Sequence, residues 1–600
     1  MCTSETKHTS QPHLSKLSLQ FDLNIDKHLK VGDSHTIQTR FSKQASHHSI
    51  IHLTQLQSAS SLIEIMTLNS TVLDQVLAPL DVDINKIHAL ARSLCETFKT
   101  LAKESTNQFL PTPISEEVLR PDLEGKGRYL AIDIGGSNLR VGFIKLLGPS
   151  IQNGLALPGK IDRLLEKSWQ IGEDHKYNNA DELFVWIGKC IAEVVRDGVD
   201  EWGLQLPSEL PMGVTMSFPM IQNKLSDAIL MSMGKGFAMT SNLNLGEQLL
   251  KGYKISTATL PHLPRIKITA IVNDAVASLV SFHRQQRTSY QKVAMGLIVG
   301  TGCNATIPLS ISKLHVTKYP SLTLNTIEHK QKDPKVIINT EWSINGTAPP
   351  LHTLNFITKW DKILDAESET PGFMPFEYMT GGKYLGELGR LIILDYFTTQ
   401  LHLPLEALPT VLHRRNALDA SILAKVGRED QLCQSLDLAM PFPVDPTSEK
   451  RRTWTPELAN VVVNVARKIE KRAAGMVAAA IIGLLAAADE LRFPPSPQKA
   501  SETTNPNQAN PIHASENTTE LLVGYTGSCI SHFQDYLADC QTYLDDIMRK
   551  EFGSDGGGKR IVLEACMYGS IIGAGILAGT VECMEENQVL VEESAADLAG

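Results

Sequence analysis

The chain has 600 residues, 42 % of them apolar, with 66 acidic against 56 basic side chains and a formal net charge of -10. That length exceeds what one hydrophobic core usually supports and predicts two or more domains, and the apolar fraction is that of a globular protein. The mild acidity, with no basic stripe beyond pairs such as Arg451-Arg452, argues against nucleic acid as a partner. Nine scattered cysteines (Cys2, Cys95, Cys190, Cys303, Cys433, Cys529, Cys540, Cys566 and Cys583) lack metal-ligand spacing and point to a reducing compartment with no disulfide frame.

Residues 1 to 65 are rich in Ser, His, Thr and Gln and read as a mobile polar extension. Met1 to about Gly32 lacks the continuous apolar core of a secretory signal, and Asp22, Asp26 and Asp33 fit an organellar presequence badly. Amphipathic turns such as "HLSKLSLQF" are candidates for touching a membrane surface or a protein partner.

The first patterned stretch is "LAIDIGGSNLRVGFIKL", residues 130 to 146. A short apolar run stops at Gly135-Gly136 and resumes with Leu139, Val141, Phe143 and Lys145 alternating with Arg140, Gly142 and Ile144, which predicts strand, turn, strand. The dinucleotide fingerprint and the Walker loop both run from a strand into a helix, so neither has its required context here. Two readings stand: an ordinary hairpin, or a bend whose bare main chain admits a phosphate with Asp133 facing a metal.

Further along, "IKITAIVNDAVASLVSFH", residues 266 to 283, predicts a β-branched strand ending at Asn273-Asp274 and then a helix. An Asp there caps a helix, or, at the carboxyl end of a strand, accepts a proton from a substrate hydroxyl. "MGLIVGTGCNATIPLSI", residues 295 to 311, repeats the first construction with a bend at Gly300-Thr301-Gly302. The pair is either two unrelated hairpins or two similar halves gripping a polyphosphate across a cleft. "HKQKDPK" at 329 to 335 and the Pro, Asn, Ser and Thr-rich segment 493 to 520 predict loops. "AAGMVAAAIIGLLAAA", residues 473 to 488, is too short to span a bilayer and predicts a buried helix packed closely on a sheet or another helix. Alternating strand-like and helix-like segments indicate an α/β fold.

Several stretches together resemble the ATP-dependent hexokinases of the fungal and animal type, across roughly residues 85 to 585. They are "DIGGSNLR" at 133, "SFP" at 217, "GKGF" at 234, "VNDAV" at 272, "GLIVGTGCNA" at 296, "NTEW" at 339, "FEYMTGGKYLGELGR" at 376 and "GYTGS" at 524. The resemblance, to a divergent fungal member above all, implies a two-lobed actin-like ATPase (ribonuclease H-like) fold with a cleft between a small and a large lobe. On that frame residues 66–285 are the N-terminal region, mostly small lobe, and 286–590 the large lobe. It implies ATP and Mg2+ as cofactors, glucose or a related hexose as substrate, and the first step of glycolysis. The implied compartment is the cytoplasm, with association at the mitochondrial surface or nucleus left open to the extension.

By the same match Asp274 looks like the general base for the sugar 6-hydroxyl and Lys235 like a fixed positive charge near the reacting oxygen. Ser217, Asn273, Asn304, Glu341 and Glu377 look like the sugar ligands. Asp133, Gly135, Gly136, Ser137, Asn138 and Arg140, with Thr301, Gly302, Gly527 and Ser528, look like the nucleotide side, Mg2+ arriving with ATP and meeting Asp133 through water. Carboxylates and amides suit a hexose, whose hydroxyls both donate and accept. Phosphoryl transfer through a loose transition state needs chiefly alignment and charge stabilisation.

Departures from the family pattern fall on both sides of the site. Met233-Gly234 replaces a Trp-Thr pair and removes a hydroxyl expected to bond the sugar, a loss of about 1 kcal/mol. Ala275, Ala277, Ser278, Ser343 and Phe373-Met374 change the surroundings of the base and the sugar. Thr526 replaces an Asp, and Tyr568-Gly569-Ser570-Ile571-Ile572-Gly573 puts two bulky residues where close approach to ATP is expected. A sugar-sensing regulator that turns over poorly, and a scaffold that keeps only the fold, therefore stand beside the enzyme.

Overall fold

The computed structural model describes residues 71–599 except 120–124, 153–154, 173–179, 232–242, 286, 320–332, 428–430, 445–450, 495–518 and 555. The extension expected at residues 1 to 65, the "GKGF" turn with Lys235, and nearly all of the loop expected at 493 to 520 lie outside the described residues.

Fifteen named strands follow one another along the described chain. They are β1 (Leu110–Ser115), β2 (Lys126–Ile134), β3 (Asn138–Leu147), the short hairpin β4 (Ser150–Gln152) and β5 (Leu155–Leu157), β6 (Ile161–Gln170) and β7 (Glu209–Met216). After a second short hairpin, β8 (Met220–Ile221) and β9 (Ile229–Leu230), come β10 (Arg265–Asn273), β11 (Gln291–Val299), β12 (Cys303–Ser310), β13 (Lys335–Asn339), β14 (Glu520–Thr526) and β15 (Arg560–Ala565).

One sheet has the order β6-β3-β2-β7-β10 and the other β1-β13-β12-β11-β14-β15. Apart from β1 the two are built alike: three strands form an antiparallel meander, and the fourth and fifth join parallel to the first on its free side. The glycine bend lies between the first and second strand in each, so the two bends of the sequence occupy equivalent places in two equivalent sheets. The parallel connections demand crossovers, which helices supply.

Helix Ile84–Glu104 starts where the Asp83 side chain accepts the Lys86 N–H, and it buries Ile87, Leu90, Ala91, Leu94, Cys95 and Phe98 at helical spacing. That stripe lies on helix Pro456–Ala487, which contains the apolar run read from sequence and buries all of it. The approach is close because Gly475 sits under Ile87 and Gly483 faces the Ala91 carbonyl, where a Cβ would stand 2.9 Å from the oxygen. No helix among the described residues is long and apolar enough to cross a membrane.

Helices Asp274–His283 and Gly569–Ala599 run between the sheets. At their crossing a Cβ on Gly573 would lie 1.9 Å from the Ala277 carbonyl oxygen, so only glycine permits that contact. Helix Gly569–Ala599 follows β15 of the second sheet but packs on β2, β3, β7 and β10 of the first. Both faces of β3 are covered, because Ile144 and Leu146 lie under this returning helix while Leu139, Val141 and Phe143 fill the opposite core.

Glu470, on the helix with the apolar run, is 1 % exposed with one carboxylate oxygen unpartnered among the described residues, and burial pushes its pKa up to about 8. Arg467, 2.5 Å away, pulls it down, while Asp539 and Asp535 push it up. A folded-state pKa above the unfolded value means the folded protein binds the extra proton, so stability falls as pH rises from about 4.5 to about 8. In thermal melts Glu470→Gln should match the wild type near pH 5 and melt higher at pH 9. A wild-type melting temperature flat across that range contradicts the assignment.

Candidate active site

Strand β2 delivers Asp133 to the first bend. Its carboxylate is 6 % exposed and fully engaged: Oδ1 accepts the Thr215 hydroxyl at 2.7 Å, and Oδ2 accepts Ser570 Oγ at 2.8 Å and Arg140 Nη1 at 3.1 Å. Arg140 is in reach because it is the register partner of Asp133 across the hairpin. The bend closes through the Gly135 N–H to the Asn138 carbonyl at 2.9 Å, with Ser137 and Asn138 exposed at the tip. Ser217 comes alongside because its N–H donates to the Ile134 carbonyl at 3.0 Å.

Asp274 begins the helix after β10, capped by Asn273, whose Oδ1 accepts the Ala275 N–H at 2.9 Å. Asn273 is 2 % exposed and donates to the Met216 carbonyl at 3.3 Å, so β7 and β10 fix it together. Asp274 is half-buried. Its Oδ1 accepts the Ala275 N–H at 2.9 Å and its Oδ2 accepts the Ser217 hydroxyl at 2.6 Å, which fixes the carboxylate at the positive end of a helix. The next residue's carbonyl lies against Gly296 of β11, where a Cβ would stand 3.1 Å from Ala275 O. Gly296 is paired with Thr306, two residues along β12 from Asn304. Asp274 therefore stands at the seam where the first sheet meets the second.

Across that seam, Asn304 Nδ2 donates to Asn339 Oδ1 at 2.8 Å, and Asn339 Nδ2 donates to Glu341 Oε1 at 2.9 Å. Asn304 also lies 3.4 Å from the same Glu341 oxygen. Glu377, in the first turn of the short helix Pro375–Thr380, is 4 % exposed; its Oε2 accepts the Cys303 N–H at 3.0 Å, and its Oε1 is buried without a hydrogen-bond partner among the described residues. A buried carboxylate oxygen left unpaired is costly unless a ligand donates to it. A Cβ at Gly302 would lie 2.5 Å from Glu377 Oε2, so a larger residue there would displace that carboxylate.

The second bend closes through the Gly300 N–H to the Gly302 carbonyl at 2.9 Å. The Gly382 and Lys383 N–H groups hold it from outside, on the Gly300 and Thr301 carbonyls at 2.8 and 3.1 Å. Gly527 follows β14 at φ +120° and packs on it, with the site of a Cβ 2.3 Å from Val299 O; Ser528 beside it is exposed.

Asp133, Gly135, Arg140, Ser217, Asn273 and Asp274 are thus joined around the first bend, and Thr301, Gly302, Asn304, Glu341, Glu377, Gly527 and Ser528 cluster around the second. Gly136, with Gly135, Ser137 and Asn138, completes the first turn. Sequence reasoning missed Asn339, which "NTEW" contains, and Thr215 and Ser570, which hold Asp133. The expectation that Ile571 and Ile572 crowd the nucleotide is corrected: Ile571 is fully buried in the core between the sheets, Ile572 packs beside it, and Ser570 is the side chain that reaches the bend. Tyr568 adopts φ +57° and lies under the Arg163 guanidinium, 3.4 Å from the ring centroid.

Two sheets of one topology, packed about the same pair of helices and each with a glycine bend between its first and second strand, are the two-lobed actin-like class of α/β fold. Two family models, both described as hexokinase, match residues 72–284 and 294–580. The chain is 30 % identical over 364 residues to a hexokinase of Schistosoma mansoni, covering 59 % of this chain and 71 % of that one. It is 32 % identical over 311 residues to a hexokinase of Kluyveromyces lactis, covering 51 % and 56 %. A solved hexokinase from Schistosoma mansoni complexed with glucose superposes with a TM-score of 0.65 at 25 % identity, over 86 % of this chain and 99 % of that one. The chain belongs to the hexokinase family.

Proposed function

We propose that this chain transfers the γ-phosphoryl group of ATP to the 6-hydroxyl of glucose or a similar hexose. The observation that carries the reading is Oε1 of Glu377, buried and without a partner among the described residues, on a side chain that holds the Cys303 N–H next to Asn304 and its network with Asn339 and Glu341. Such acceptors and amides suit sugar hydroxyls, and the relative solved with glucose supports the hexose.

In the proposed reaction the sugar oxygen bonds to the γ-phosphorus, the bond to the bridging oxygen breaks, ADP leaves, and the hydroxyl proton passes to Asp274. In a loose transition state that proton leaves late, so Asp274 chiefly orients the hydroxyl, and its bonds to Ser217 and the helix N-terminus fix the carboxylate for that task. Ser217, Asn273, Asn304, Glu341 and Glu377 are the sugar ligands in this reading. Lys235 supplies charge at the reacting oxygen. Asp133, Gly135, Gly136, Ser137, Asn138, Arg140, Thr301, Gly302, Gly527 and Ser528 form the phosphate and nucleotide side. Both oxygens of Asp133 already accept hydrogen bonds, which suits contact with Mg2+ through water, and the ion would neutralise phosphate charge. Cytoplasmic residence, and a mitochondrial-surface or protein partner for the extension, belong to the same proposal.

Calorimetry with glucose and with magnesium ATP separately, then a coupled assay for glucose 6-phosphate, tests it. Binding of both with product formation supports the enzyme, sugar binding without product supports a sensor, and neither leaves a scaffold. Gly527→Ala should weaken magnesium ATP binding at least tenfold and leave glucose binding unchanged, because its added Cβ meets the Val299 carbonyl. Unchanged nucleotide affinity removes Gly527 from that side.

A further inference from the structure

We infer that Gln108, on the loop before β1, is the positioning residue for Glu341 and thereby sets the affinity of the hexose pocket; the inference rests on reading Glu341 as a sugar ligand. Glu341 has φ +45°, a left-handed conformation that residues with a Cβ rarely adopt and keep only where their surroundings impose it. The carbonyls on both sides of that φ are pinned from one element. Gln108 Nε2 donates to the Glu341 carbonyl at 3.0 Å, the shorter of the two bonds that carbonyl accepts, the other being the Ile344 N–H at 3.3 Å, and the Phe109 N–H donates to the Thr340 carbonyl at 2.9 Å.

The clamp is itself rigid. Gln108 is fully buried, its Nε2 also lies 3.4 Å from Thr347 Oγ1, and Gly346 crowds its Oε1, where a Cβ would stand 2.0 Å away. Phe109 packs on Phe98 with ring centroids 5.6 Å apart, and Phe98 stacks on Trp342, next to Glu341, at 6.2 Å. Relaxing the φ of Glu341 rotates its side chain about the main chain and draws Oε1 away from Asn339 and Asn304, so the hold on the carbonyl helps to set where the carboxylate stands. Gln108 touches no predicted sugar ligand through their side chains; it acts through the backbone.

The experiment measures hexose affinity in the full-length chain, as the KM for glucose and by calorimetry, for Gln108→Leu and Gln108→Glu, each alone and combined with Glu341→Ala. Glu keeps the size of Gln but places an acceptor against the carbonyl, so it decides the question if the Leu variant does not fold. Each single change should weaken glucose about tenfold, the worth of one buried hydrogen bond, with the KM for ATP unchanged and kcat within about twofold. In the Glu341→Ala background the same changes should matter less than about twofold. Equal losses in both backgrounds, or unchanged glucose affinity in the single variants, overturn the inference. If Glu341→Ala alone leaves glucose affinity unchanged, the sugar-site reading falls instead, and the inference with it.

Discussion

Asp274→Asn is expected to lower kcat for glucose 6-phosphate formation by about 10²- to 10⁴-fold, the usual worth of a positioned acid–base group, while glucose affinity changes only a few-fold. Asn is chosen over Ala because one oxygen can still accept the Ala275 N–H, and the new amide can face the Ser217 hydroxyl, which lies 2.6 Å from the present carboxylate. The cap at Asn273 and the crossing of Ala277 over Gly573 are untouched, so the fold is retained. With Asp274 as the proposed proton acceptor, what is lost is the negative charge that would draw on the hydroxyl proton. A coupled assay showing less than a tenfold drop would place the proton acceptor elsewhere.

Glu377→Ala should have its largest effect on binding. One carboxylate oxygen holds the Cys303 N–H beside the second bend, and the other, without a partner among the described residues, can accept from a hydroxyl. Hydrogen bonds to charged groups are worth about 1.5–3 kcal/mol, so losing one to the sugar should weaken glucose by tens to more than a hundredfold. Because the same change frees the bend at Cys303, magnesium ATP should weaken as well, by less. Titration calorimetry reads both affinities, and a glucose affinity within threefold of wild type, in a variant that melts normally, rules out Glu377 as a ligand.

Much of this site was readable because glycine interrupts apolar runs at two bends, and because a β-branched run ends at Asn273-Asp274 before a helical pattern. Those are local signals, and they specify elements. Partners at long range left no such mark. Nothing near Leu110 says that β1 will join the edge of the second sheet, or that Gln108 will meet a carbonyl 233 residues away. Glu341 gives no hint of its left-handed φ, since the sequence there offers Glu-Trp-Ser and no glycine. Ile571 and Ile572 were misread for the same reason. Their neighbours in sequence suggest a phosphate turn, whereas their neighbours in space are the side chains of a core shared by two sheets.

The helix Gly569–Ala599, which leaves the second sheet to cover the first, has a bearing on biosynthesis. Tyr129, Ala131, Ile144, Leu146, Ala270 and Val272 stay uncovered on the nascent chain until that helix has been made. At roughly 5–20 residues per second, the ribosome needs about 15–60 s to travel from β10 to that helix. Throughout that interval the early half displays a greasy plate that a holdase chaperone can grip.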